Sequence, residues 1–137
     1  MVKFKNLLGC EERTVRCGCI FLPARWRHLT HRPAEWLLYQ HDGKYVLKLG
    51  RPAVIDRIRE GSHHLVPDAQ CQRGKVRFSL LGRVKLPKAF CTEKGRFQVM
   101  VIGMGTHLEV QSLKNYQQTA AQWMLKKIRR FHKTYIT

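Results

Sequence analysis

The chain has 137 residues, with 26 Lys and Arg against 9 Asp and Glu and a formal charge of +17. Hydrophobic residues make up 44%, enough to build a core, which excludes a wholly disordered basic tail. No window approaches the roughly 18 consecutive apolar residues of a membrane span. The short N-terminal apolar stretches, interrupted by charge, predict no secretory signal, so an intracellular location is expected.

In chain order, residues 14–22 (TVRCGCIFL) alternate and predict one strand with Val15, Cys17, Cys19 and Phe21 on one side. Pro23 and the basic stretch after it predict an irregular segment. EWLLYQ, His41-Asp42-Gly43 and KYVLKLG form the clearest hairpin, because Asp-Gly tolerates the backbone of a tight turn. Arg51-Pro52 opens a helix to about Glu60, with Gly61 as its stop. Residues 61–74 read as loop, and KVRFSLLGRVKLP as one long strand or two joined at Gly82. A turn at Glu93-Lys94-Gly95 leads to the strand RFQVMVIG, a turn at Gly103-Met104-Gly105 and the strand HLEVQ.

A helix from Ser112 to about Phe131 closes the pattern, with Ser112 as N-cap. Leu113, Tyr116, Ala120, Trp123, Met124 and Phe131 share one side, expected to pack on a sheet. The fold class expected is α+β: an antiparallel sheet packed against a C-terminal amphipathic helix, with an N-terminal β-hairpin extension. Residues 1–50 are expected to form a β-rich basic extension and 51–137 an α+β domain, with a single domain over 1–137 as the alternative.

The charge points to a polyanionic partner. Cations recur from Lys3 to Lys133, interleaved with apolar residues, so a folded body with a broad positive surface is expected. Nucleic acid is the first choice, through phosphate contacts and counterion release. An anionic membrane surface comes second, for want of a long basic amphipathic helix free of a core. Acids are too few for most paired-carboxylate chemistry. Asp56 and Glu60 alone have helical i, i+4 spacing, and a solvated helix face pairing with Arg57 or Arg59 is the favoured reading of them, well ahead of a metal-dependent nuclease. No Gly-rich phosphate loop or nucleophile elbow is present. A non-enzymatic protein without cofactors is expected.

Residues 97–128 (FQVMVIGMGTHLEVQSLKNYQQTAAQWMLKKI) resemble the second half of a double-stranded-RNA-binding domain. Phe97, Val99 and Val101 stand at the strand positions, Ser112 and Lys114 at the helix start, then Ala120-Ala121 and Met124-Leu125. The resemblance implies that Lys114 meets phosphate across the RNA major groove while the Ala pair lets the helix sit close on the sheet. A pleckstrin-homology-like module, binding a protein partner or an acidic lipid, is the alternative, with Trp123 as the Trp of its C-terminal helix.

The RNA contacts expected are Lys114, Lys126, Arg129, Arg130 and Lys133 on the helix, assisted by Arg25, Arg27 and Trp26. The last three interleave cations with an aromatic, suited to stacking on bases, although Trp26 packing beside Trp36 explains the pattern too. Five cysteines without a secretory signal suggest a reduced chain. Cys17, Cys19, His28 and His31 form the one candidate zinc set, against the plainer reading that the cysteines are small buried strand residues. The expected role is recognition of structured or double-stranded RNA. Three settings fit: a ribonucleoprotein or ribosome subunit with protein partners, an RNA-processing partner, or a viral RNA-sequestering protein.

Overall fold

The computed structural model describes residues 7–41, 43–62, 65–79, 81–91 and 96–135, with side chains in the last helix as far as Arg130. The protein is α+β. Its strands are β1 (Leu7–Val15), β2 (Cys19–Phe21), β3 (Glu35–His41), β4 (Lys44–Gly50), β5 (Cys71–Lys75), β6 (Arg83–Lys85), β7 (Phe97–Gly105) and β8 (Leu108–Ser112). Helix α1 spans Pro52–Ser62 and α2 spans Leu113–Tyr135. A six-stranded antiparallel sheet runs β1-β7-β8-β4-β3-β5, and β2 pairs with β6 in a second, two-stranded sheet. Strands from both sides of residue 50 are interleaved in the large sheet, and the β3–β4 hairpin occupies its interior.

Alternation sorts each strand into two faces. One face of the large sheet carries Leu38, Leu47, Leu49, Val99, Val101, Leu108 and Val110, all buried. Against it pack Ile20, Leu22, Val84 and Leu86 from around the small sheet, and Trp26 and Leu29 from a 3-10 helix at Ala24–His31. The opposite face carries Leu37 and Lys48, and α1 covers part of the sheet with Ile55, which is fully buried.

Several segments depart from the sequence expectation for identifiable reasons. Residues 14–22 are a hairpin, not one strand. Cys17 (φ 51°) and Gly18 (φ 72°) both adopt left-handed backbone, and Arg16 and Cys19 exchange two backbone hydrogen bonds of 3.0 and 2.9 Å. The reversal turns Ile20 inward and leaves Phe21 exposed. Helix α1 continues past Gly61 to Ser62, and the expected loop 61–74 ends in edge strand β5, which pairs with β3. Of the described residues in 75–87, only Lys75, the end of β5, and Arg83–Lys85 are strand. A turn bonds Gly82 N–H to the Ser79 carbonyl, and Phe78 bridges Val84. β7 runs through the expected turn at 103–105, and the reversal falls at Thr106-His107. The expected turn at 93–95 lies outside the described residues.

The largest departure is α2. Ser112 caps it as expected, its Oγ accepting from the Asn115 N–H at 3.1 Å. The first turns also hold to the body. Lys44 Nζ donates to Gln118 Oε1 at 2.8 Å, and Tyr116 OH points at Cys10 Sγ, 4.0 Å away. From Gln117 to Arg130, however, every residue is exposed. Of the expected apolar side, Leu113 and Tyr116 are half-buried at the sheet, while Ala120, Trp123 and Met124 do not pack on it; the Phe131 side chain lies outside the described residues. One sheet face is already filled by the 3-10 helix and β2–β6, and α1 sits on the other.

His107 lies in the β7–β8 turn, buried against Gly50, with Nδ1 3.0 Å from Thr106 Oγ1. Burial, reinforced by the Lys48 ammonium and partly opposed by Glu109, lowers its pKa from 6.5 to about 4. The unfolded chain therefore takes up this proton first as pH falls. The stability from neutral His107 is complete above pH 6.5 and is lost as pH drops to about 4; its loss is expected to cost about 3 kcal/mol. Urea unfolding across this window should show a shallower decline in His107→Gln than in the parent. An equal decline would assign the effect to other groups.

Candidate nucleic-acid interface

Acids decide which cations are spoken for. Among the described residues Glu11 pairs with Arg13 (3.8 Å) and Arg25 (3.5 Å). Glu35 and Asp56 converge on Arg73 at 2.5 and 2.6 Å, Asp68 pairs with Arg59, and Glu109 with Lys48 at 2.5 Å. These pairs join elements of the body: β1 to the 3-10 helix, β5 to β3 and α1, β8 to β4. Asp56 is thus committed to Arg73 on β5, not to a neighbour on its own helix.

A group of cations on and beside β5 and β6 makes no such pair among the described residues. Lys75-Val76-Arg77-Phe78 and Arg83-Val84-Lys85-Leu86 alternate cation with apolar residue. The two segments lie side by side, with Phe78 bridging Val84 and the Lys85 N–H donating to the Arg77 carbonyl at 3.1 Å. Alternation then puts Val84 and Leu86 in the core while Lys75, Arg77 and Lys85 face solvent. Together with Lys88 they border an open cleft of about 400 Å³ whose aromatic wall is Trp36. The indole lies flat on Gly74, where an added Cβ would stand 2.5 Å from the ring. Only glycine lets the ring settle against β5. None of the four cations makes an ion pair among the described residues, and no carboxylate lines the cleft.

The residues expected to contact RNA fall elsewhere. Trp26 is 1% exposed and belongs to the core, so it offers no surface to a base. Its place in the core accounts for that aromatic without a base to stack on. Arg25 lies 4.4 Å over the Trp26 ring, pairs with Glu11 and sits against Gly9. Arg27 is exposed, packs on Gly82, and donates through Nε to the Leu22 carbonyl at 3.3 Å. Lys114 is exposed on the first turn of α2, and Lys126, Arg129 and Arg130 are exposed further along it. The Lys133 side chain lies outside the described residues.

The zinc set is not assembled, since no three His, Cys, Asp or Glu side chains come together among the described residues. Cys17 occupies the left-handed position of the β1–β2 turn and is exposed rather than on a buried strand face. His28 Nδ1 lies 3.2 Å from the Arg25 carbonyl oxygen. The Ala120-Ala121 pair, expected close on the sheet, is exposed, as is Trp123.

The cleft and α2 stand at opposite ends of β3. Lys44, which holds Gln118, pairs with His41, whereas Trp36 lies five residues back along the strand, about 17 Å away. The cleft's signal was present in the sequence as two alternating cation–apolar runs, but it needed their pairing and the position of Trp36 to become a site. No protein-family model matches the chain, nor does a search of curated proteins return a significant match.

Proposed function

We propose that the protein is a non-catalytic RNA-binding protein that recognises structured or double-stranded RNA. The Trp36 cleft carries the reading. Four exposed cations around one aromatic wall, with no acid among them, suit phosphates and an unstacked base together. Looped or frayed nucleotides of a structured RNA supply both. Lys114, Lys126, Arg129 and Arg130 add phosphate contacts at a distance, without sequence preference. A ribonucleoprotein particle, an RNA-processing complex and viral RNA sequestration are the settings this mode of binding fits.

The test is binding to an RNA duplex with a short loop, the matching DNA and single-stranded RNA, over a range of salt. Preference for the structured RNA is expected to persist near physiological salt. Arg77→Ala/Lys85→Ala should reduce the salt slope by about 0.9 for each phosphate that is no longer neutralised, or about 2 for the pair. Lys114→Ala should reduce it by about one. Equal binding to all three nucleic acids, with no change of slope in the cleft variant, would reduce the protein to a bare polycation and overturn the reading.

A further inference from the structure

Helix α2 leaves the body after its first turns carrying an apolar stripe that nothing among the described residues covers. Trp123, Met124, Leu125 and Ile128 are each more than half exposed, at 55, 54, 54 and 57%. At about 100° per residue, Ala120, Met124 and Ile128 form one row, with Trp123 on one flank and Ala121 and Leu125 on the other. Gln118, Gln122, Lys126, Arg129 and Arg130 populate the far side, and the 23 residues of the helix include no Asp or Glu. Any partner must therefore offer an apolar phase and negative charge together. RNA offers no such phase.

We propose that this face of α2 lies in the surface of an anionic lipid bilayer. Lys127 decides between that and a protein groove. It projects from within the apolar stripe, its Nζ 3.9 Å from the Trp123 ring centroid. A closed groove would bury the ammonium at a large desolvation cost, whereas at a bilayer surface its stem lies along the indole and the charge reaches the headgroups. A second copy is disfavoured for the same reason, with the repulsion of two bodies of +17 added. The rest of the polar face meets anionic headgroups, as in other interfacial helices. Among the described residues no helix is long and apolar enough to cross a membrane, so the binding is to the surface. This inference uses none of the cleft residues and stands whether or not the cleft takes RNA.

The experiment is co-sedimentation with phosphatidylcholine vesicles containing none or roughly a third phosphatidylserine, near physiological salt. Tryptophan emission is followed in parallel. Binding is expected with the anionic vesicles only, with a blue shift that Trp123→Phe removes, because Trp26 is already buried and Trp36 lies in the cleft at the other end of β3 from α2. Met124→Ser/Ile128→Ser leaves the charge unchanged and alters exposed positions. It should weaken vesicle binding about tenfold or more, with far-UV circular dichroism and RNA affinity unchanged. A parent protein that stays in the supernatant overturns the proposal. So does a double variant that binds vesicles as tightly as the parent, which would mean charge alone. A parent dimer that the double variant loses also overturns it, in favour of a second copy on the stripe.

Discussion

Glu109→Ala is expected to destabilise the protein by about 3–5 kcal/mol, the cost of leaving a buried charge without its partner. Lys48 is 8% exposed on β4, and its Nζ lies 2.5 Å from Glu109 Oε1 on the adjacent strand. Gln111 Nε2 donates to the other carboxylate oxygen at 2.7 Å, so both oxygens are engaged. Alanine at 109 strands the ammonium between strands, beside buried Leu37. Urea denaturation of the single variant measures the loss. Lys48→Met/Glu109→Leu should recover most of it, because removing both charges also removes the need to desolvate them. A loss below about 1 kcal/mol in the single variant would mean that water reaches Lys48 and that the pair behaves as a surface bridge.

Gly103→Ala is expected to cost about 3 kcal/mol and to loosen one strand selectively. Gly103 faces Gly9 across the β1–β7 ladder. A Cβ there would overlap the Leu7 carbonyl and come 2.7 Å from the Leu8 nitrogen. These are backbone atoms, with no rotamer to swing away, so β1 must shift or detach. Amide exchange should show protection lost in residues 7–15 while β3 and β4 keep theirs. Gly61→Ala is the contrast. Its Cβ meets nothing within 4 Å near the end of α1, and the substitution should stabilise by about 0.5–1 kcal/mol. Equal effects of the two substitutions would mean that β1 is not seated on β7 through these glycines.

The legible part of the fold was local. The β3–β4 hairpin, the Pro52 helix start, the Phe97 strand and the Ser112 cap each depend on a few neighbouring residues, and each forms where the chain predicts it, although Asp42 of the hairpin's turn lies outside the described residues. What escaped depended on what lies across space. Cys17 at φ 51° carries no propensity that announces a turn, so the alternation through Val15 and Phe21 reads as one strand. Cys71–Lys75 has little β character of its own and becomes a strand because β3 has an open edge. Trp26 looked like a surface aromatic because arginines flank it, yet the flanking arginines point outward around a buried ring. The amphipathic pattern of α2 was visible, but whether its apolar side meets the sheet depends on who already occupies the sheet. The cleft required both Trp36 and the pairing of residues 77 and 85, separated by a turn that the sequence does not mark clearly.

The pairing of the chain's first strand with its next-to-last also governs how the molecule is made. Residues of β1 meet partners 82 to 98 positions later, from Val15–Phe97 to Leu7–Gly105. At the roughly 5–20 residues per second of synthesis, β1 leaves the ribosome on the order of 5–20 s before β7. Contacts of such long sequence separation also close slowly in the complete chain. Through that interval the strand carries Leu7 and Val15 unpaired, but Glu11, Glu12 and Arg13 lie between them and keep a hydrated, charged segment in the middle of the waiting edge.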